Sequence, residues 1–132
     1  MKEIIIGSFA EEQTTVSNDI TAASAGSGSL DVFATPFMIA LMEKATCTAI
    51  APFLESGETT VGTKICVSHN IASVIGEAVT ARAEISEVQG RKTVFSVSAI
   101  NERGEEIGSG TIERFTVLSE KFMQKAQQQA EV

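Results

Sequence analysis

The chain has 132 residues, of which 43% are hydrophobic, which suits one compact domain with a real core and leaves no room for a second. Its formal net charge of −7 and pI near 4.7 oppose contact with phosphate backbones and anionic membranes. We therefore expect neither nucleic acid nor a membrane as a partner. The apolar run at residues 4–6 is too short for a signal peptide, which favours a cytoplasmic protein.

The pattern along the chain predicts one long helix followed by a series of strands. Residues 4–16 have strand character, and residues 18–29 are small and flexible, as in a loop or lid. Residues 32–54 form the most apolar stretch, in which Thr35 as N-cap and Pro36 at the first helical position begin a helix and Pro52 closes it. Alternation predicts strands at residues 59–69, 77–88, 91–100 and 105–118, joined by short turns. Residues 119–132 predict a short polar helix, a tail on the single domain 1–132.

Glu43 is the only acidic residue of the predicted core helix. The residues three, four and seven positions away cannot neutralise its carboxylate: they are Pro36, Ile39, Ala40, Thr46, Cys47 and Ile50. A lone buried acid is costly unless it is paired or protonated. Two explanations stay open: a chemical role, or a salt bridge to Lys44 across a dimer.

The two cysteines, Cys47 and Cys66, are predicted to be internal. A disulfide between them stays open, but their number and spacing do not match a secreted disulfide framework or a zinc site. The sequence therefore predicts no metal ion.

Three polar residues at predicted internal positions, Thr35, Glu43 and His69, lie within motifs that carry a family resemblance. The motifs are FATP at 33–36, ALME at 40–43, GETTVGT at 57–63 and VSH at 67–69. Together with the steps of 8 residues from Thr35 to Glu43 and 26 from Glu43 to His69, they resemble the fluoroacetyl-CoA thioesterase-like branch of the hot-dog fold. The likeness runs from about residue 32 to 117.

The resemblance implies an α+β protein in which a curved antiparallel sheet wraps around a long central helix. It also implies a homodimer or a dimer of dimers, with active sites at the subunit interface that hydrolyse an acyl-CoA. Coenzyme A would be part of the substrate, and no separate cofactor is expected. The residues carried over are Thr35, Glu43 and His69 as the catalytic set and Gly62 as a backbone contact to the substrate, with Phe33 and Phe37 beside Thr35 as further substrate contacts.

Helix geometry limits how the catalytic set is assembled. Eight helical residues span ~12 Å of axial rise, so Thr35 and Glu43 cannot touch along one straight helix. The substrate lies between them, or the chain bends at Thr35, or a second subunit completes the set. The helix start also offers the backbone N–H groups of Phe37 and Met38 to an oxyanion.

A second function stays open from the sequence, a non-catalytic hot-dog module that binds an acyl-CoA or another small apolar ligand. The segment 22–29 consists almost wholly of small residues where relatives have a bulkier lid, so the acyl group is not predicted and fluoroacetyl selectivity is not supported. A hot-dog hydratase lacks support, because no Asp–His pair on a characteristic loop is visible.

Overall fold

The computed structural model describes residues 1–131. Its strands are β1 (Phe9–Thr15), β2 (Glu58–His69), β3 (Ala78–Gln89), β4 (Lys92–Ile100) and β5 (Glu106–Leu118). Its α-helices are α1 (Ala22–Ala25), α2 (Thr35–Ile50) and α3 (Ser119–Ala130), and single 3₁₀ turns lie at Asn18–Ile20 and Ala51–Phe53. The predicted order of strand, long helix and four strands is confirmed, as is the C-terminal helix, whose last predicted residue, Val132, lies outside the described residues.

The five strands form one antiparallel sheet in the order β1-β3-β4-β5-β2. The hairpins β3–β4 and β4–β5 follow the predicted turns. At the first of them Gln89 pairs with Lys92, and Gly90 has φ +59°, a left-handed conformation that glycine adopts without a Cβ clash. The predicted lid folds partly into α1, which ends at Gly26 in a left-handed cap.

Helix α2 packs into the concave face of the sheet, chiefly against β1 and β3. Ala81 and Ala83 on β3 are fully buried, and their small side chains allow the helix to approach the sheet closely. Met38 and Met42 on the facing side of α2 are also fully buried, each contributing about 1.5–3 kcal/mol of hydrophobic stabilisation. No helix within residues 1–131 has the length and hydropathy needed to cross a membrane.

One face of α2 is not covered by its own chain, in contrast to the helix apolar on every face that the sequence suggests. Cys47 lies on this face and is exposed, and Cys66 on β2 is exposed as well. The prediction that both cysteines are internal is therefore wrong for the single chain. Both are free thiols, so no disulfide links them.

Strand β2 is a long edge of the sheet. It pairs with β5 along one side, and within residues 1–131 no strand pairs with its other side. Residues 62–66 are exposed, with Lys64 the only charge among them and Ile65 41% exposed. A long, weakly charged edge is a template for pairing with another chain, and natural proteins normally cover it.

Candidate active site

Thr35 and His69 meet in the structure, although 34 residues separate them in sequence. The Thr35 Oγ1 and His69 Nδ1 atoms lie 2.8 Å apart, a hydrogen-bond distance. Thr35 stands in the first turn of α2 and His69 is the last residue of β2, so the end of the edge strand delivers the imidazole to the helix start. The pairing of a hydroxyl with an imidazole is the arrangement that activates a nucleophile.

The surroundings of His69 favour its neutral form. Burial removes solvent from the charged ring and lowers the pKa of His69 below its ordinary value of 6.5, and the Ile71 carbonyl partly opposes that lowering. Nε2 is buried and has no hydrogen-bond partner within residues 1–131. The Ile71 carbonyl nevertheless raises the pKa of the ring. We assign the ring proton to Nε2, which leaves Nδ1 to accept the Thr35 hydroxyl proton.

A cleft of about 300 Å³ opens beside this pair and includes both residues in its wall. Phe33 is 2% exposed and packs edge-on against the imidazole, with ring centroids 6.5 Å apart. Its ring therefore fixes the plane of His69 and supplies an apolar wall. The lid side of the cleft is formed by small residues, among them Ala22 and Ser27.

Glu43 has an intrachain partner that the sequence reasoning missed. The Arg114 Nη1 donates to Glu43 Oε2 at 3.2 Å, and Arg114 also donates to the Oγ1 and carbonyl oxygen of Thr60, at 2.8 and 3.1 Å. The Arg114 side chain is 8% exposed and that of Glu43 35%. The guanidinium thus offsets the cost of the half-buried carboxylate while leaving part of it open. The sequence signal for this partner is the place of Arg114 on the buried face of β5, where it alternates with Ile112 and Thr116.

The alternative explanation for Glu43, a bridge to Lys44 across a dimer, needs a second subunit and stays a prediction. Within its own chain, Lys44 lies 3.5 Å from Glu12 of β1, and its side chain is 68% exposed. The two neighbours on α2 therefore point to different sides of the helix, as their ~100° separation requires.

Gly62 lies directly behind the carboxylate of Glu43. A Cβ at this position would stand 2.9 Å from Glu43 Oε2 and 3.4 Å from Arg114 Nη1. Gly62 is paired with Arg114 across β2 and β5, and the register shifts just after it. The absence of a side chain at Gly62 is what admits the Glu43–Arg114 pair to this part of the sheet.

The structure does not bring Glu43 to the Thr35–His69 pair within one chain. Glu43 lies ~12 Å along α2 from Thr35, and its neighbour Gly62 lies seven residues along β2 from His69, roughly 20 Å of strand. Thr35 and Glu43 nevertheless share one stripe of the helix, with Ile39 between them, and this stripe faces the β2 side. The chain therefore presents the Thr35–His69 pair and the Glu43 carboxylate at two separate places along an open edge.

The helix start differs from the prediction in two ways. Ala34, not Thr35, is the N-cap: Ala34 has extended backbone angles and Thr35 is already the first helical residue, with its side chain bonded to His69. The N–H groups of Phe37 and Met38, which we expected to be free for an oxyanion, both donate to the Ala34 carbonyl at 3.0 Å. The Thr35 N–H, by contrast, has no backbone acceptor within residues 1–131.

Phe37 does not line the cleft beside Thr35 and His69. It is 37% exposed and lines a separate, mainly apolar cavity of about 210 Å³, of which Phe33 forms the shared wall. Among residues 1–131, no group of three His, Cys, Asp or Glu side chains is arranged to hold a metal ion.

The fold and the site together define a hot-dog thioesterase, and comparison with known proteins agrees. The model of the fluoroacetyl-CoA-specific thioesterase family (FlK) matches residues 16–120, and the chain belongs to this family. The fluoroacetyl-CoA thioesterase of Streptantibioticus cattleyicolor is 49% identical over 98 residues, 74% of this chain and 70% of the relative.

Solved structures show the same architecture. A structure of the fluoroacetyl-CoA thioesterase FlK superposes with a TM-score of 0.89 at 38% identity, covering 96% of this chain and 98% of that one. A thioesterase superfamily member from Thermus thermophilus gives a TM-score of 0.92 at 30% identity, covering 99% and 96%. The predicted hot-dog fold, family and thioester hydrolase class are confirmed.

Proposed function

We propose that this protein hydrolyses short-chain acyl-CoA thioesters as a homodimer, with Thr35 and His69 of one subunit and Glu43 of the other at each active site. The 2.8 Å contact between Thr35 and His69, in a cleft from which Glu43 is remote, is the observation that carries the proposal. Each chain has a hydroxyl, a base and an acid, but not in one place. A C₂ dimer unites them, because a two-fold interface brings the same edge of both copies together.

The open edge of β2 suggests how the subunits meet. If two β2 strands pair antiparallel about a two-fold axis between Ile65 and Cys66, Gly62 of each lies opposite His69 of the other. Glu43 stands beside Gly62, so the partner's Glu43 then faces the Thr35–His69 pair. The same pairing satisfies the unpaired backbone groups of the edge.

The reaction steps follow from the neutral His69 ring, whose Nδ1 is free to accept a proton. Thr35 Oγ1 attacks the thioester carbonyl carbon as its proton passes to His69 Nδ1. The Thr35 N–H, at the positive end of the α2 dipole, is placed to stabilise the oxyanion. The C–S bond breaks readily, since thiols have pKa values around 8–9, and His69 returns the proton to the departing sulfur. The partner's Glu43 then orients and deprotonates the water that attacks the acyl-threonine. The bond from the acyl carbon to Thr35 Oγ1 breaks, the free acid leaves, and the proton held by Glu43 returns to Thr35 Oγ1.

Two finer points concern the substrate and its setting. The relative from Streptantibioticus cattleyicolor is named a fluoroacetyl-CoA thioesterase, whereas the small residues of segment 22–29 leave the cleft of this chain unobstructed by a bulky lid. We therefore propose short acyl groups without selectivity for fluorine. The cytoplasmic location and the dimer-of-dimers alternative remain predictions from the sequence.

Release of free thiol from a panel of short acyl-CoA thioesters tests the proposal. We expect turnover by the wild type and a loss of about hundredfold or more for Thr35→Ala and His69→Ala. Thr48→Ala is the matched control, because Thr48 is an exposed threonine of the same helix that bonds to Glu12. Tight binding of the thioesters with no hydrolysis across the panel would instead identify a non-catalytic binding module.

A further inference from the structure

Behind the Phe33 wall of the catalytic cleft lies the separate cavity of about 210 Å³, called the α2 cavity below. Besides Phe33, it is lined by one stripe of helix α2 and by two residues from the N-terminal part of the chain: Phe37, Ala40, Leu41, Lys44, Thr14 and Ile20. We propose that Phe33 sets the upper limit on acyl length by closing the cleft off from this cavity. The inference rests on the proposed function and deepens it, because it defines the accepted substrates as acyl groups that end at the Phe33 ring.

Phe33 stands where the acyl chain of a bound substrate would run. It lines both the catalytic cleft and the α2 cavity, and it lies two residues before Thr35, whose Oγ1 would carry the acyl group. Its ring centroid is 6.5 Å from that of His69. An acyl carbon bound to Thr35 Oγ1 therefore has the phenyl ring beside it. Phe33 also lies outside the small-residue segment 22–29, so it limits the cleft independently of the lid.

The backbone and the packing around Phe33 hold this wall in place. The Phe33 N–H donates to the Ser73 carbonyl at 2.8 Å, and Phe33 pairs with Thr21 in an isolated antiparallel bridge. The next N–H, that of Ala34, donates to the Ile20 carbonyl at 3.0 Å. Because the Phe33 side chain is 2% exposed, its rotation would require the packed neighbours to move. A fixed wall of this kind gives a sharp length limit, since it does not yield to a longer chain.

The α2 cavity offers the space and the surface that a longer acyl chain would need. Ile20, Phe37 and Leu41 give it an apolar lining. The ammonium of Lys44 lies 3.5 Å from Glu12, so this charge already has a partner and does not require an anionic ligand. An apolar cavity of about 150 Å³ holds benzene, so the 210 Å³ here has room for about six carbons. Each methylene buried there would strengthen binding about fourfold, a gain that the wall withholds from long chains.

The first test replaces the ring and measures the preference for acyl length. For Phe33→Leu, we expect the ratio of kcat/KM for octanoyl-CoA over butyryl-CoA to rise about tenfold or more, because the added methylenes enter the α2 cavity. Phe33→Met, which provides an apolar side chain of flexible shape, should shift the ratio in the same direction. Phe95→Leu is the matched control, since Phe95 is a fully buried phenylalanine that lines neither cavity, and its ratio should stay at the wild-type value.

A second substitution shows where the longer chain goes. Ala40 is exposed on α2 and lines the α2 cavity but not the cleft, so Ala40→Phe fills part of the cavity. Alone, it should leave butyryl-CoA hydrolysis unchanged, and combined with Phe33→Leu it should return the ratio to the wild-type value. A ratio that does not rise in Phe33→Leu, that rises equally in Phe95→Leu, or that stays high in the combined variant would overturn the proposal.

Direct binding separates a failure of the Phe33 wall from a failure of the proposed function. S-octyl- and S-butyl-coenzyme A are thioethers that cannot be hydrolysed, so calorimetry measures their Kd whether or not the protein is an enzyme. In Phe33→Leu, the affinity for the octyl compound should gain about tenfold or more over that for the butyl compound, relative to the wild type. If this gain appears while no thioester is turned over, the proposed function fails and the wall stands. If thioesters are turned over and no gain appears, the wall fails and the proposed function stands.

Discussion

Subunit mixing tests the division of the active site most directly. The perturbation is a heterodimer of one Glu43→Ala subunit and one His69→Ala subunit, purified through two different affinity tags. In the proposed dimer, one site combines Thr35 and His69 of the first subunit with Glu43 of the second and is intact, while the other site lacks both groups. The isolated heterodimer should therefore have about half the wild-type rate, although each homodimeric parent is impaired.

The distance between Glu43 and Thr35 within one chain sets the loss of rate expected for Glu43→Ala if each subunit formed its own complete site. That loss distinguishes the shared site from a site built within one subunit. If Glu43 served the Thr35–His69 pair of its own subunit at ~12 Å, its charge would contribute ~1.4 kcal/mol at an effective dielectric constant of 20, about tenfold in rate. Contact in the opposite subunit permits losses of about hundredfold or more on Glu43→Ala. A loss of more than about tenfold on Glu43→Ala, together with recovery in the heterodimer, requires Glu43 to act in the opposite subunit.

The assay is free-thiol release from a short acyl-CoA by the wild type, the heterodimer and its two homodimeric parents. A second heterodimer supplies the control: Thr35→Ala with His69→Ala should stay inactive, because those two residues meet within one chain and every site of that heterodimer lacks one of them. Recovery in this control, or its absence in the first heterodimer, would refute the division of the site.

Three further outcomes follow from the geometry. Gly62→Ala should lower kcat/KM about tenfold or more with little loss of stability, since its Cβ meets the end of the Glu43 side chain and no backbone atom. Gly108→Ala should unfold readily, because its Cβ would overlap the Ser68 carbonyl oxygen of the backbone, and activity and thermal unfolding compare the two variants. Arg114→Met should lower the free energy of unfolding by about 2–4 kcal/mol in urea titrations, as a buried network is broken. The kcat/KM of the wild type should fall on acidification with a midpoint below 6.5, because burial lowers the pKa of His69 and protonation removes the base.

The same pKa shift has a consequence for stability, with a definite sign. His69 binds fewer protons in the folded than in the unfolded chain between its lowered pKa and 6.5, so the free energy of unfolding increases with pH across that window. The contribution is fully present above 6.5 and is lost as pH falls toward the folded pKa. His69→Gln should remove this dependence in thermal unfolding measured across that window, and an unchanged slope would show that His69 is not the titrating group.

Much of the fold was predictable because its signals are local. Strand alternation, the turn glycines and the Thr35-Pro36 helix start act over a few residues, and the structure confirms the elements they predict to within a few residues. The motif spacing likewise named Thr35 and His69, which the structure brings to 2.8 Å. What the pattern did not supply was the choice between capping and catalytic geometry at Thr35, since both use the same hydroxyl at a helix start.

The missed features depend on contacts between elements far apart in sequence. Arg114 bonds to Glu43 across 71 residues of sequence, and the residues at helical spacing around Glu43 do not indicate this contact. The exposure of Cys47 and Cys66 was missed for a related reason: an apolar helix and an apolar strand indicate burial without saying which chain provides the cover. Their exposure in the single chain is informative, because it marks the surface that the proposed partner would occupy.

The environment of Glu43 connects these observations. Its carboxylate is held by a buried guanidinium, backed by a glycine and left 35% exposed toward the open edge. A residue kept only for stability would gain from complete burial of the pair, or from replacement by apolar side chains, which is often neutral or stabilising. An anchored but accessible carboxylate is instead suited to a substrate or a water molecule supplied from outside its own chain. In the proposed dimer, hydrolysis therefore depends on assembly: an isolated subunit should retain the Thr35–His69 pair, bind an acyl group weakly and fail to turn it over.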